Sequence, residues 1–307
     1  MKKIVLLFSI MILVGSVHIA GSDNNYISEL DNPLVLSIEQ YDDLYGYIYL
    51  YYMNTGELQK ISMFSGYGPV WDSRKEKIVF GTDRDYDPYE IGDPPYNPDI
   101  YIINRDGTGE KRLTDNKISY GQTVCKFNDQ IFYITDFIDE KGKIKKICSM
   151  DLAGDNKKEI FNSELDITTL ELSPDGKELV FSTYDGIYKY RINNGKLEKL
   201  KAAEEIGIYY ANPKYSPNGD EILYFKGYGT FTRMSICIMD KNGQNNREIA
   251  PNIAFYDAAW SPDGERIIFM TEEDDANRLY IINKDGTGIE EVKLPLDKPY
   301  KIYGIDW

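Results

Sequence analysis

The sequence predicts an all-β protein: a six-bladed β-propeller of four-stranded antiparallel blades, closed by one C-terminal strand joining three N-terminal strands. Three observations carry this expectation. A phrase with a large apolar residue, a tight turn and a final aromatic returns about every 45 residues. A second strand–turn–strand phrase follows each copy. The chain ends on a lone strand at the place where a further copy would begin.

The first phrase reads "YGPVWDSRKEKIVF" up to Phe80, "TTLELSPDGKELVF" up to Phe181, "NPKYSPNGDEILY" up to Tyr224 and "DAAWSPDGERIIF" up to Phe269. Its anchors are Trp71, Leu172, Tyr215 and Trp260. A weaker copy, "TVCKFNDQIFY", has a shortened turn, and the last, "YGIDW", stops at Trp307. In "SPDG", Pro presets φ, Asp bonds nearby backbone, and Gly takes the left-handed conformation that closes the turn. Turn closure is therefore the reading of these aspartates, ahead of metal ligation or catalysis. Asp106 and Asp285 in "DGTG" are read the same way.

The second phrase reads "DIYIINRDGTGEKRLT" at 99–114 and "RLYIINKDGTGIEEV" at 278–292, with looser copies at 146–160, 187–200 and 235–249. Strands rich in Ile, Tyr and Val, separated by Gly-containing turns, are hairpin signals. No long segment shows a 3.6-residue apolar period. "KLEKLKAAEEIG" has the composition for a turn or two of helix, but it stands in a strand-and-connection position.

Two strand–turn–strand phrases make four strands. One such sheet cannot bury both faces, but a ring of them can, and the anchors would fill the space between blades. The first unit holds only three strands, "PLVLSIE", "YGYIYLYYMN" and "ELQKIS"; the last holds one. The C-terminal strand is therefore expected to complete the N-terminal blade from its inner side. This removes exposed edges and gives six blades.

Residues 1–21 read as a secretory signal peptide: Lys2 and Lys3, an apolar run from Ile4 to Val14, then smaller residues. The propeller is assigned to 22–307. The full chain carries 35 Lys+Arg against 50 Asp+Glu. Without Lys2 and Lys3 its charge falls to about −17, which disfavours nucleic acid and anionic membranes and favours cationic ligands, basic partners or divalent ions. The one histidine, His18, lies inside the leader. A mature chain without imidazole has no Ser-His-Asp or Cys-His catalysis and no histidine-ligated metal. Cys125, Cys148 and Cys237 are an odd set with no zinc spacing, and are expected as buried thiols.

"WSPDGERIIF" followed by "RLYIINKDGTG", and "FGTDRD" leading into "PDIYIINRDGTGEKRLT", resemble the repeats of TolB-like six-bladed β-propellers. The resemblance covers about residues 28–307. It implies the propeller fold and an extracytoplasmic location, periplasmic or secreted. The α/β domain that precedes the propeller in TolB has no room between leader and first strand, so the chain is expected to lack it. The fold by itself hosts many tasks.

In such a ring the "SPDG" and "DGTG" turns fall on one face. The other face and the central channel usually hold ligands. On that other face the longest connection is "GTDRDYDPYEIGDPPYNPDI", 81–100. It contributes Asp83, Asp85, Asp87, Tyr89, Glu90 and Tyr96 as candidate ligand-binding residues. Equivalent connections contribute Tyr228, Glu272 and Asp274. The Asp83, Asp85, Asp87 spacing resembles a calcium loop, but Pro88 and Pro94 replace the Gly and Glu that such a loop needs. A solvated, proline-stiffened loop is the plainer reading, so no cofactor is assigned and Ca2+ is kept as a candidate.

The function expected from all this is an exported, non-catalytic binding or scaffold protein. It would be a monomer recognising a protein partner or an extracytoplasmic ligand, with no membrane insertion once the leader is removed. The alternatives are a carboxylate-dependent glycan-active enzyme, since paired Asp/Glu need no histidine, and a small-ligand sensor.

Overall fold

The computed structural model describes residues 32–41, 43, 46–84, 98–116, 118–139, 142–203, 207–229, 234–253, 255–273 and 276–307. The segment 1–31, with the expected leader and His18, lies outside them.

The described residues form six four-stranded antiparallel sheets arranged in a ring. Blade 1 contains β1 (Leu34–Gln40), β2 (Tyr47–Tyr52) and β3 (Glu57–Ser65). Blade 2 contains β4 (Tyr67–Trp71), β5 (Lys77–Thr82), β6 (Asp99–Asn104) and β7 (Lys111–Arg112). Blade 3 runs through β8 (Ser119–Val124), β9 (Ile131–Asp139), β10 (Gly142–Met150) and β11 (Lys158–Ser163). Blade 4 has β12 (Thr169–Leu172), β13 (Glu178–Thr183), β14 (Gly186–Arg191) and β15 (Lys196–Ala202). Blade 5 has β16 (Ile208–Tyr215), β17 (Glu221–Tyr228), β18 (Met234–Asp240) and β19 (Arg247–Ile253). Blade 6 has β20 (Phe255–Trp260), β21 (Arg266–Glu273), β22 (Ala276–Asn283) and β23 (Glu290–Val292). The last strand, β24 (Tyr300–Asp306), returns to blade 1, whose order is β24-β1-β2-β3. The ring closes as the repeat count predicts. Val35 pairs with Asp306 and Gln40 with Tyr300 along that seam.

The hydrophobic clusters lie between blades. Trp71 packs with Val35, Ile48 and Leu50 of blade 1. Leu172 joins Cys125, Phe132 and Ile134 of blade 3. Tyr215 packs with Val180 and Ile187 of blade 4, and Trp260 with Leu223 and Phe225 of blade 5. Trp307 sits with Ala259 and Ile268 of blade 6. Each anchor thus fills a seam between its own blade and the one before it, which is why a large residue recurs there.

The turn reading holds at atomic level. Asp175 Oδ1 accepts the Lys177 N–H at 3.2 Å, and Asp263 Oδ1 accepts that of Glu265 at 2.9 Å. In the "DGTG" turns, Asp106 and Asp285 each accept a threonine N–H at 2.9 Å. The glycine of this second turn has a further task. Gly107 has φ 83°, and a Cβ there would stand 2.9 Å from the Ile61 carbonyl of blade 1. Gly286 meets the Ile249 carbonyl of blade 5 in the same way. The turn touches the neighbouring blade's outer strand, so only Gly fits.

The segment with helical composition is a strand: "KLEKLKA" is β15, paired along β14 from Gly186 to Arg191. Tertiary pairing overrides its propensity there. The three thiols are unpaired and lie in three different seams, Cys125 and Cys237 buried and Cys148 half-buried.

Candidate functional site: the central channel

The innermost strands β24, β4, β8, β12, β16 and β20 surround a cavity of about 800 Å³. It runs from Tyr67, Tyr120 and Thr168, at the starts of these strands, to Pro174, Pro217 and Pro262, in the turns beyond their ends. Most of the lining strands are not regular. An extra residue bulges β4, β8, β16, β20 and β24 against their partners. Gly68, Gly121 and Asn212 take left-handed conformations at equivalent bulge positions. A bulge bends a strand and re-aims its side chains, and such features cluster next to sites.

The residues just before the anchors are Val70, Thr123, Glu171, Lys214, Ala259 and Asp306, and all of them line the cavity. Four are polar or charged: Thr123, Glu171, Lys214 and Asp306. Lys214 Nζ lies 2.8 Å from Asp257 Oδ1. Asp257 also accepts the N–H groups of Ala258, at 2.9 Å, and Ile305, at 3.2 Å. Asp306 Oδ2 accepts the Trp71 N–H at 2.9 Å and lies 3.6 Å from Lys126 Nζ. Lys126 also donates to the Trp71 carbonyl at 2.9 Å. Gln122 donates to the Gly68 carbonyl at 2.5 Å. These polar groups staple neighbouring blades through backbone atoms, so the channel wall is held in place by the ring itself.

Electrostatics separate the carboxylates. Burial would raise Asp306, but Lys126, the Trp71 N–H, Lys214 and Lys75 together hold it below the usual carboxylate range. Burial pushes Glu171 up to about 7, and Asp306 adds to the rise; Lys214, Lys126 and the Thr123 hydroxyl only partly oppose it. Burial works against the Lys214 ammonium, but Asp257, Glu171 and Asp306 raise its pKa overall. Glu171, Asp257, Asp306 and Asp72 thus line one water-accessible space together with Lys75, Lys126, Lys214 and Lys301.

The described residues among those expected from the sequence sit elsewhere. Asp83 follows β5 and is half-buried; Tyr228 ends β17 and is exposed, with Lys226 Nζ 4.8 Å above its ring. Glu272 on β21 lies 3.5 Å from Lys301, which lines the channel. Asp83, Tyr228 and Glu272 do not themselves line the cavity. Asp85, Asp87, Tyr89, Glu90, Tyr96 and Asp274 lie outside the described residues, as does most of the calcium candidate. Glu171, Lys214, Asp257 and Asp306 were missed. The available signal was a charged residue next to each of several anchors.

The fold and its channel define a six-bladed propeller of TolB type. The family model for the TolB beta propeller domain matches residues 145–298, half of the chain, and the protein belongs to that family. Its structure is similar to TolB from Acinetobacter baumannii, with a TM-score of 0.73 and 18% identity, covering 91% of this chain and 67% of that one. It is also similar to a putative TolB from Agrobacterium tumefaciens, with a TM-score of 0.62 and 15% identity over 88% of this chain and 97% of the other. An oligogalacturonate lyase solved in complex with manganese shares the fold as well, with a TM-score of 0.57 and 14% identity over 84% of this chain and 74% of that one. At such identities the likeness is one of fold.

Proposed function

We propose that this is an exported, non-catalytic binding protein that takes a protein segment or small ligand into its central channel, with the connections after β5, β17 and β21 as accessory contacts. The observation that carries this reading is the channel wall. A cavity of about 800 Å³ is lined by charged groups clamped to backbone atoms of neighbouring blades, and such pre-organised concave sites are where ligands bind. Membership of the TolB propeller family supports a recognition role. The leader-like residues 1–21 support export, and the lone histidine within that leader supports a non-catalytic role.

Affinity capture from a cell-envelope extract tests it, with the chain immobilised, with and without chelator. One partner recovered by the wild type and lost by a channel-mouth variant, Lys126→Glu, is the expected result. Recovery unaffected by Lys126→Glu and by chemical blocking of the channel would overturn it. Loss of recovery on chelation would assign the contact to a metal-loaded surface such as the Asp83–Asp87 loop.

A second reading, a carboxylate-dependent enzyme acting on glycans, draws on one observation. Glu171 is pushed up to about 7 while Asp306, in the same channel, is held low. Carboxyl groups pushed apart in this way suit an acid and a base. Release of reducing ends from a glycan panel, abolished in Glu171→Gln, would favour this reading over the first.

A further inference from the structure

We infer that the channel is a receptor for one organic cation, an ammonium or guanidinium group seated on Glu171. This rests on the channel being the recognition site. The cation can belong to a free small amine or to the Lys or Arg side chain of a peptide, since the carboxylate reads the charged group and not its carrier.

The carboxylates around Glu171 in the channel are satisfied within the fold. Asp257 has an ammonium at 2.8 Å and two backbone N–H donors. Asp306 has the Trp71 N–H and a lysine at 3.6 Å. Among the described residues, Glu171 has no Lys or Arg within ion-pair distance. The Thr123 hydroxyl favours its charged form only weakly, as the least of the influences on it. Lys214, the adjacent residue around the ring, directs its ammonium to Asp257 instead. An enclosed carboxylate without a counter-ion is unfavourable and takes up a proton or a partner.

The charged groups facing Glu171 leave that partner's sign in no doubt. Lys214 on β16 and Lys126 after β8 attract the carboxylate, Asp306 on β24 repels it, and Asp257 on β20 draws off the nearer ammonium. An anionic guest would meet Lys126 already donating to the Trp71 carbonyl and Lys214 already paired. A cationic guest meets Glu171, which among the described residues has neither an ammonium nor a backbone N–H on it, whereas Asp72 in the same cavity accepts the Glu76 and Lys77 N–H groups at 2.8 and 3.0 Å. Tyr67, Tyr120 and Tyr215 also line the cavity, and aromatic rings are among the groups that stabilise cations. The cavity volume is within the range that encloses a small molecule or one long side chain. The chain's net charge of −15 raises the local concentration of such a guest.

The proton balance is explicit. Below pH ~7 Glu171 is mainly protonated, so seating the cation releases its proton to solvent; above that range the cation enters with no proton release.

Isothermal titration of the full chain tests the inference with three probes: n-butylammonium, the blocked peptide acetyl-Gly-Lys-Gly-amide, and the uncharged acetyl-Gly-norleucine-Gly-amide. At pH 8 at least one cationic probe should bind at least tenfold more tightly to the wild type than to Glu171→Gln. At pH 6, in buffers of different ionisation enthalpy, close to one proton should be released per probe bound. Preference for the amine or for the lysine peptide identifies the carrier. Equal affinity of the cationic probes for the wild type and Glu171→Gln would overturn the inference, as would failure of both to bind at millimolar concentration. Binding of the norleucine peptide as tightly as the lysine peptide would also overturn it, yet leave the channel standing as the recognition site. Should Glu171→Gln fail to fold, proton release by the wild type at pH 6 and its absence at pH 8 decide the matter.

Discussion

Asp306, the penultimate residue, accepts the peptide N–H of Trp71 at 2.9 Å across 235 positions of sequence. From the other side, Lys126 donates to the carbonyl of the same Trp71 at 2.9 Å. Both backbone polar groups at one anchor are thus held by side chains of the two flanking blades. The ring is closed twice, by strand pairing between β24 and β1 and by this clasp onto blade 2.

Closure should therefore be the weak point of stability. Deleting residues 300–307 exposes the edge of β1 and empties a seam, and cooperative unfolding in denaturant should be lost. The subtler change Trp307→Ala should cost about 3–5 kcal/mol, as for other buried tryptophans. Asp306→Ala should cost about 1–3 kcal/mol, because it leaves the Trp71 N–H without an acceptor in a buried setting. Urea denaturation followed by tryptophan fluorescence checks all three.

Gly107 is a second point of this kind. Its positive φ and the Ile61 carbonyl 2.9 Å from a notional Cβ mean that Gly107→Ala must shift blade 2 against blade 1. The expected loss is about 1–3 kcal/mol, while Gly56→Ala should cost less. Gly56 also has positive φ, but nothing lies within 4 Å of its Cβ position. The difference between the two in urea midpoint isolates the inter-blade contact from backbone strain.

Glu171 should leave a mark on stability against pH. Its folded pKa, about 7, lies above the ordinary value of 4.5, so the folded chain holds the proton more tightly. That contribution is fully present below pH ~4.5 and is lost as pH rises through about 7. It should amount to about 1–3 kcal/mol, the upper end being the full shift and the lower allowing for water in the channel. Glu171→Gln should flatten the wild-type fall between pH 5 and 8. Asp306, being held low, acts in the opposite sense and at lower pH, outside this window. Melting temperatures of the two proteins across the range provide the check.

The thiols make a separate prediction. Burial pushes Cys237 up to about 11, and Cys148 is raised as well, again chiefly by burial. The reactive thiolate is therefore scarce at pH 8. Cys237 should resist a thiol-labelling reagent in the native protein and react quickly once unfolded. Mass spectrometry of tryptic peptides after timed labelling reads this directly.

Much of the fold was legible because its repeats carry their own physics. The anchors Trp71, Tyr215 and Trp260 recur because each seam needs a large side chain, and Asp106 and Asp285 recur because each turn needs a local acceptor. "KLEKLKA" has helical composition, yet its place in the repeat marked it as a strand, and its long polar side chains suit the outer strand where β15 lies. The site was hidden for the opposite reason. Glu171, Lys214, Asp257 and Asp306 stand at positions where the repeats differ, and repetition directs attention to what recurs. A long acidic connection such as 81–100 is conspicuous in sequence, whereas a single carboxylate before an anchor gains its meaning only when six inner strands face one space.

The most direct test of the account is the titration of the Glu171 side-chain carboxyl by carbon-13 NMR, assigned through Glu171→Gln. The expected midpoint is near 7 in the free protein, moving downward when a cationic guest occupies the channel. A midpoint at the ordinary glutamate value, unmoved by any cationic guest, would contradict it.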